Sequence, residues 1–332
     1  MPPATVHFLR CETRNSTQQN FHVQTMPRLS AFGGVVASNV CLGLKWHRHA
    51  GTGLLSQLSA NMYVKVPAIQ RYAASIPPDD LIFVLDSDSI FNVRSVTSAK
   101  VLSRFEAARD GRQVVFQAEP YCFAPSKKAM MIGYKDLGGC TKELVRLYDS
   151  LERKAMVEKG SDVIGKPWDC AKHLNSGAFA GRAQAIMDLM KKMRQPWGWR
   201  ELCPPTKATR HSGGFDDQCV LTAIMLQQNV SIQLDYNERL FATAIATTRG
   251  SRSKTKRNGS NSVACAYCRQ RTTKVPCRCS REWTWVRESS TGEPWQRPMA
   301  HQKRCGLPAG SPPLIMHFQN AVGKAMLRRL YH

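Results

Sequence analysis

The sequence predicts an α/β fold with a mostly parallel central sheet, and three features lead to this prediction. Uninterrupted apolar runs at residues 81–85 and 114–116 are typical of strands buried on both faces, as in a parallel sheet. Apolar residues recur at helical spacing in the segment 61–76. The chain has 332 residues and is 42% hydrophobic, which is enough for one large core. Alternation of such strands and helices favours one large α/β domain.

Each element is predicted from its local pattern. Alternation of apolar and polar residues, or a short apolar run, indicates a strand. Apolar residues three and four positions apart indicate a helix. Glycine, proline and clusters of small polar residues mark the turns between them. The predicted elements, in chain order, are strands at 6–9, 35–37 and 40–44, a helix at 61–75, a strand at 81–85, a helix ending at Gly111, a strand at 114–119, a small-residue turn at 174–181, helices at 183–193 and 220–227, and strands at 230–235 and 313–320.

The strand at residues 81–85 is followed by two aspartates, Asp86 and Asp88. Residues two apart at the end of a strand point to the same side, and ligands of open α/β sheets bind outside the carboxyl ends of the strands. Two carboxylates there suit Mg²⁺ or Mn²⁺ that holds a phosphate. The structural alternative is an ordinary strand that ends in a polar turn.

Two chemistries use such a pair of aspartates. In haloacid-dehalogenase-like phosphatases the first aspartate attacks a phosphate, whereas in glycosyltransferases of the A-type fold both aspartates hold a divalent metal under the diphosphate of a nucleotide sugar. Ile90 stands where the phosphatase loop has Thr or Val, and the strand lies well inside the chain. Both details favour the transferase.

Three further polar groups interrupt or end apolar segments. Asn175, Ser176 and Gly177 lie in the small-residue turn, which would let backbone approach a ligand closely. Residues 216–218 open a helix after two glycines, where the helix dipole favours negative charge. His317 ends an apolar strand. The alternatives are a tight turn for the first group, helix capping for residues 216–218 and a purely structural role for His317.

The segment 249–312 is strongly basic and rich in cysteine. It has fourteen Lys or Arg against three Glu, a net +11 of the chain's +23. Composition predicts a solvated, partly disordered insertion, and a nucleic acid, an acidic polymer or a membrane surface could be attracted to it. Spacing leaves open a structural Zn²⁺ site, disulfides or free thiols for its main cysteines, which are Cys265, Cys268, Cys277 and Cys279.

Cysteines elsewhere do not suggest a disulfide framework. Cys41, Cys122, Cys170 and Cys219 stand in apolar contexts typical of free buried thiols. The sequence has no apolar run of membrane-spanning length and no secretion signal.

The ordered motifs resemble the glycosyltransferase domain of the procollagen lysyl hydroxylases and its stand-alone relatives. The resemblance runs from about Val6 to Leu330 apart from the insertion. It rests on the following segments: 42–46, 65–66, 86–91, 114–122, 174–177, 216–218, 234–235 with Phe241, and His317 with Asn320. It implies a Rossmann-like A-type glycosyltransferase fold, a UDP-sugar donor and Mn²⁺ (or Mg²⁺).

The resemblance also implies residue roles. Asp86, Asp88 and His317 would hold the metal, and Asp216, Asp217 and Gln218 would be catalytic, with Asp217 nearest the reacting carbon. The donor-binding group would comprise Lys65, Asp86, Ser87, Asp88, Glu119, Asn175, Ser176 and Gly177. The family usually has one more residue between the two metal-binding aspartates, and Phe318 and Ala321 stand where it has glycines.

The sequence therefore predicts a hexosyltransferase with a core at residues 1–248, the basic insertion at 249–312, and a strand and helix at 313–332 that complete the core. By resemblance, the acceptor is a hydroxyl of a protein or glycan, such as hydroxylysine, and the compartment is the secretory pathway. The alternatives are an inactive relative that binds nucleic acid or an acidic polymer through the insertion and, further from the pattern, a phosphatase.

Overall fold

The computed structural model describes residues 4–11, 35–41, 61–86, 89–91, 97–119, 150, 173–195, 217–227, 231–245 and 313–319. The strands, in chain order, are β1 Val6–Arg10, β2 Val35–Asn39, β3 Leu81–Leu85, β4 Ser89–Phe91, β5 Val114–Glu119, β6 His173–Arg182, β7 Ile232–Leu234, β8 Phe241–Ile245 and β9 Ile315–Gln319. The helices are α1 Val66–Ala73, α2 Ser98–Arg109, α3 Ala183–Met193 and α4 Asp217–Leu226, and a π-helical turn, Asn61–Lys65, leads directly into α1.

Six strands form the central sheet, in the order β2-β1-β3-β6-β5-β7. The pairs β1–β2, β1–β3 and β5–β7 are parallel, and β6 runs antiparallel to both of its neighbours, β3 and β5. This confirms the predicted α/β class with a mostly parallel central sheet. It also places the carboxyl ends of β1, β3 and β5 at one edge.

The central sheet is covered on both faces, which explains its continuous apolar strands. Ile82 and Val84 belong to the core cluster that contains α1, α3 and α4. Leu81, Phe83 and Leu85 belong to the cluster that contains α2 and strands of a smaller sheet. The alternation predicts that the residue after β3, Asp86, projects to the side of α1 and α4.

The smaller sheet has three strands in the order β4-β9-β8. The strand β9 pairs antiparallel with β4, with Ser89 opposite His317, and parallel with β8, with Thr243 opposite His317. Asp235, at the end of β7, fixes where β8 begins because its Oδ2 accepts hydrogen bonds from the backbone N–H groups of Leu240 and Phe241, at 2.7 and 2.9 Å. Burial raises the pKa of Asp235 although these bonds and one from Arg239 oppose the shift.

The turn expected at residues 174–181 is wrong: these residues belong to β6, in the middle of the central sheet. The small residues serve a different purpose there. Phe116 pairs with Phe179, but the next residue of β5, Gln117, pairs with Asn175, so that residues 176–178 are extra on β6. The strand therefore has a bulge beside the carboxyl end of β3, and bulges are frequent next to active sites.

Two expectations about cysteines are also wrong. Cys41 is not a free thiol but forms a disulfide with Cys11, which joins the ends of β1 and β2. Cys219, at the start of α4, is disulfide-bonded as well. The strand expected at residues 40–44 does not begin at Val40, since β2 ends at Asn39 and residues 40–41 form a turn.

The basic insertion, most of the C-terminal segment and the predicted zinc ligands lie outside the described residues. Within the described ranges, none of the helices combines the length and the apolar character that a membrane crossing requires.

Candidate active site at the carboxyl edge of the central sheet

Lys65 joins the two acidic segments that the sequence singled out. It is the last residue before α1, and its side chain is buried beneath the carboxyl end of β3. Its Nζ donates a hydrogen bond to Asp86 Oδ1 at 2.7 Å and lies 3.6 Å from Asp217 Oδ2. It also donates to the backbone carbonyl of Ser176 at 3.3 Å. One ammonium therefore links the carboxyl end of β3, the bulge of β6 and the first turn of α4.

The two carboxylates keep this buried lysine charged. Burial alone would lower the pKa of Lys65, but Asp86 and Asp217 outweigh it and raise the pKa above its ordinary value. Because the folded-state pKa is raised, the stabilising effect is fully present below the unfolded value of 10.5 and is lost only at higher pH. Lys65 is thus a permanent cation at neutral pH.

Exposure distinguishes the two carboxylates. The side chain of Asp217 is 4% exposed, whereas that of Asp86 is 38% exposed. Asp217 lies in the first turn of α4, where the helix dipole favours an anion. Asp86 is therefore the more accessible of the two carboxylates to a ligand from solvent.

Gln218 forms a second set of contacts around the bulge. Its Nε2 donates to Glu119 Oε1 at 2.6 Å, and its Oε1 accepts from the backbone N–H and the hydroxyl of Ser176, at 3.3 and 3.4 Å. Glu119 ends β5 and is 3% exposed. These contacts fix the start of α4 against both strands, so that the bulge has a defined conformation.

Gly177 lies between the two halves of the site. Its carbonyl accepts a 2.7 Å hydrogen bond from the backbone N–H of Asp86, and its own N–H donates to Asn175 Oδ1 at 2.7 Å. A Cβ atom at this position would overlap the imidazole of His317 and lie 2.8 Å from both ring nitrogens. Glycine is required here by close approach, since any side chain would displace His317.

Sequence reasoning missed Gln117 and Thr243. Gln117 Oε1 lies 2.8 Å from His317 Nδ1, and Gln117 Nε2 donates to Thr243 Oγ1 at 2.7 Å. Gln117 has no exposed surface. A fully buried glutamine within an apolar strand implies polar partners, but these partners lie 126 and 200 residues further along the chain. In the sequence, the signal for these contacts was the presence of a glutamine inside the apolar run of β5.

The structure thus brings most of the predicted site residues into one connected region at the carboxyl edge. They are Lys65, Asp86, Glu119, Asn175, Ser176, Gly177, Asp217, Gln218 and His317. Ser87, Asp88 and Asp216 lie outside the described residues. Among the described residues alone, no three His, Cys, Asp or Glu side chains are arranged to hold a metal ion, so the metal set Asp86, Asp88 and His317 stays a prediction.

No protein-family model matches the chain, and no curated protein matches it significantly. Among solved structures, mouse xyloside xylosyltransferase 1 in its apo form matches at 11% identity and a TM-score of 0.41, over 97% of this chain and 99% of that one.

Two other solved structures match over similar lengths. A glycosyltransferase involved in glycosylation of the major capsid of PBCV-1 matches at 8% identity and a TM-score of 0.42, over 98% of each chain. The galactosyltransferase LgtC, in complex with donor and acceptor sugar analogues, matches at 7% identity and a TM-score of 0.41, over 98% of this chain and 94% of that one. At these values the likeness by itself assigns neither a family nor an activity.

Proposed function

We propose that the chain is a metal-dependent glycosyltransferase of the A-type fold that transfers a hexose from a UDP-sugar to a hydroxyl acceptor. The observation that carries the proposal is the link that Lys65 makes between Asp86, at the end of a central strand, and Asp217, at the start of α4. It brings the carboxylate proposed for metal binding next to the carboxylate proposed for the reaction. The strand order and the sequence resemblance support the same assignment.

The site residues suit a divalent cation in two respects. Among the described side chains of the cluster, three carboxylates (Asp86, Glu119 and Asp217) accompany one ammonium, so the cluster favours a cation. The hydroxyl oxygen of Ser89, opposite His317 in the smaller sheet, is buried and has no hydrogen-bond partner among the described residues. We propose Asp86, Asp88 and His317 as the ligands of Mn²⁺ or Mg²⁺. The metal would offset negative charge on the departing diphosphate.

The protein's own groups then have separate tasks. Lys65 fixes the orientation of Asp86 and Asp217, and Gln218 fixes the bulge of β6 against Glu119. We propose that Asp217, with Asp216, orients the acceptor hydroxyl or stabilises positive charge at the reacting carbon of the sugar. The donor sugar lies along the bulge, where Asn175, Ser176 and Gly177 present polar backbone and side-chain groups.

The test of the proposed function is UDP release from a panel of UDP-sugars, with and without Mn²⁺, in wild type and in Asp88→Asn. The amide is isosteric, so we expect the fold to be kept while Mn²⁺ affinity and turnover fall by more than the tenfold loss typical of one outer-sphere contact. His317→Ala should give a smaller defect that higher Mn²⁺ partly rescues. Unchanged metal affinity in Asp88→Asn would remove the basis of the assignment.

The phosphatase alternative makes a different prediction for the same variants. It requires Asp86 to become phosphorylated and leaves His317 without a role. Phosphate release from a general aryl phosphate, together with a phosphorylated Asp86 detected by mass spectrometry, would favour it.

We further infer a secretory or otherwise oxidising compartment, as the resemblance implied. The Cys11–Cys41 disulfide supports this inference because disulfides persist mainly in such compartments. Thiol alkylation of the protein isolated from its native cell, before and after reduction, tests it; labelling of Cys11 or Cys41 without reductant would contradict it.

A further inference from the structure

We propose that Gln117 and Thr243 are positioning residues that fix the tautomer of His317, so that Nε2 carries the lone pair offered to the divalent cation. The proposal rests on the proposed function, because it concerns how one proposed metal ligand is held. It depends on a chain of hydrogen bonds that joins Ala118 in β5 to Thr243 in β8, Thr243 to Gln117 in β5, and Gln117 to His317 in β9.

The contact between Thr243 and Ala118 sets the direction in which these hydrogen bonds are donated. Thr243 Oγ1 lies 3.3 Å from the carbonyl oxygen of Ala118, and a carbonyl can only accept. The single hydroxyl proton of Thr243 is therefore donated to Ala118. Thr243 Oγ1 must then accept the 2.7 Å hydrogen bond from Gln117 Nε2.

The orientation of the Gln117 amide follows from this donation. With Nε2 directed at Thr243, the amide oxygen is directed at His317, where Oε1 lies 2.8 Å from Nδ1. An amide oxygen cannot donate, so Nδ1 carries the proton. A neutral imidazole has one N–H only, and Nε2 is then the nitrogen that can act as a metal ligand.

The burial of His317 and Gln117 favours one fixed set of hydrogen bonds over exchange between several sets. His317 is 4% exposed and Gln117 has no exposed surface, so water does not compete readily for these bonds. The imidazole also lies against Gly177, which restricts ring rotation. Metal-binding histidines commonly donate their other ring N–H to an oxygen acceptor, and loss of that acceptor costs about 10- to 100-fold in metal affinity.

The first measurement is ¹⁵N NMR of the imidazole nitrogens in the metal-free full chain at about pH 8, above the ordinary pKa of histidine. We expect His317 to show a protonated Nδ1 and an unprotonated Nε2 in wild type. In Gln117→Leu and Thr243→Val we expect a mixture of the two tautomers. A wild-type His317 with its proton on Nε2 would overturn the proposal.

The second measurement is calorimetric titration with Mn²⁺ alone. We expect affinity to fall about tenfold or more in Gln117→Leu and Thr243→Val. Thr243→Ser keeps the hydroxyl and should stay within about twofold of wild type. Gln233→Leu is the matched control, because Gln233 lies on the neighbouring strand β7 and contacts only the backbone carbonyl of Leu234 among the described partners.

The outcomes separate this proposal from the proposed function. If His317→Ala leaves Mn²⁺ affinity unchanged, the metal assignment itself fails, and the role of Gln117 fails with it. If His317→Ala weakens Mn²⁺ binding but Gln117→Leu and Thr243→Val do not, only the positioning proposal is overturned. Using two variants on different strands keeps the test valid if one of them does not fold.

Discussion

At the scale of single residues, the site depends on a few side chains that hold others in place. Lys65 is the clearest case, since its ammonium contacts Asp86, Asp217 and the carbonyl of Ser176. It is nearly fully buried, and removal of one partner from a buried ion pair leaves the other uncompensated. The contribution of Lys65 to stability is therefore measured by removing its ammonium, which leaves Asp86 and Asp217 without this cation.

Replacement of Lys65 by Met should destabilise the fold by about 3 kcal/mol, the lower end of the range for broken buried ion pairs, because Asp86 is partly exposed to water. Urea unfolding at pH 7 measures this effect. Lys100→Met is the control, because Lys100 is exposed on α2 and should change stability by less than about 0.5 kcal/mol. Equal effects of the two substitutions would contradict the assigned role of Lys65.

Replacement of Gly177 by Ala should weaken Mn²⁺ binding, because the new Cβ overlaps the imidazole of His317 and forces it away from the bulge. We expect a loss of about tenfold or more, as for other displaced contacts of a metal site. Gly111→Ala is the control. Gly111 has a φ of +78° with open space around it, so this change should cost about 1 kcal/mol of stability and leave Mn²⁺ affinity unchanged.

At the scale of elements, a cluster of polar contacts lies at the edge of the central sheet opposite the site. Asp80, just before β3, accepts hydrogen bonds from the backbone N–H of Thr5 at 2.8 Å and contacts His7 Nε2 at 3.0 Å. The other ring nitrogen of His7 lies 3.0 Å from the hydroxyl of Tyr72 in α1. These contacts connect the starts of β1 and β3 with α1. They therefore fix the register of β1 against β3, which determines the position of Asp86 at the end of β3.

Asp80→Ala should cost about 2 to 3 kcal/mol, because it leaves the partly buried N–H of Thr5 and the buried ring of His7 without their carboxylate acceptor. Asp79→Ala tests the same change one residue earlier, where the side chain is exposed, and should be near neutral. Thermal unfolding of both variants checks the difference. A loss that is equally large in Asp79→Ala would mean that the loop, not the buried carboxylate, determines stability.

Sequence reasoning predicted the elements whose periodicity is local, such as β3, β5 and α3, and it named most of the side chains that the structure brings together at the carboxyl edge. It failed where distant parts of the chain decide the outcome. Asn175, Ser176 and Gly177 have the composition of a turn, yet the residues on either side of Ser176 and Gly177 pair with β5, and β3 pairs from Ala178 onward, so that all three lie within a strand. Local pattern contains no information about such pairing.

The same reason explains the other failures. Cysteine spacing does not determine connectivity, so the Cys11–Cys41 bond was not foreseen. Gln117 was assigned to a buried strand correctly, but its contact with His317 joins residues 200 positions apart. Contacts of that kind become visible only in the folded chain.

At the scale of the whole molecule, the basic insertion separates two strands that pair with each other. Because β8 and β9 are parallel, the end of β8 lies beside the end of β9, not beside its start. Any connection from Ile245 to Pro313 must run back along about six residues of strand, or roughly 20 Å. Residues 246–312 have to bridge this distance, so any replacement for the insertion has a minimum length.

Deletion of residues 249–311 with a replacement linker of about ten Gly and Ser residues should keep the core folded and UDP-sugar binding within a few-fold, since loop length changes closure entropy only slightly. The matched control joins residues 248 and 312 directly. Its four connecting residues give five Cα–Cα steps between Ile245 and Pro313, at most about 18 Å against the roughly 20 Å needed, so Pro313 and Leu314 should be displaced and the protein less stable than the long-linker protein. Thermal unfolding and Mn²⁺ titration compare the two. Unfolding of the long-linker protein would show that the insertion belongs to the core.

The pairing of β4 with β9, with Ser89 opposite His317, also has a consequence for the time at which the site becomes complete. During synthesis the amino-terminal strands can associate as soon as they leave the ribosome, at about 5 to 20 residues per second. Lys65 and Asp86 are then available many seconds before residue 317 exists. The nascent chain thus carries Lys65 and Asp86 before His317, and the full set of proposed metal ligands awaits synthesis of the segment 313–319.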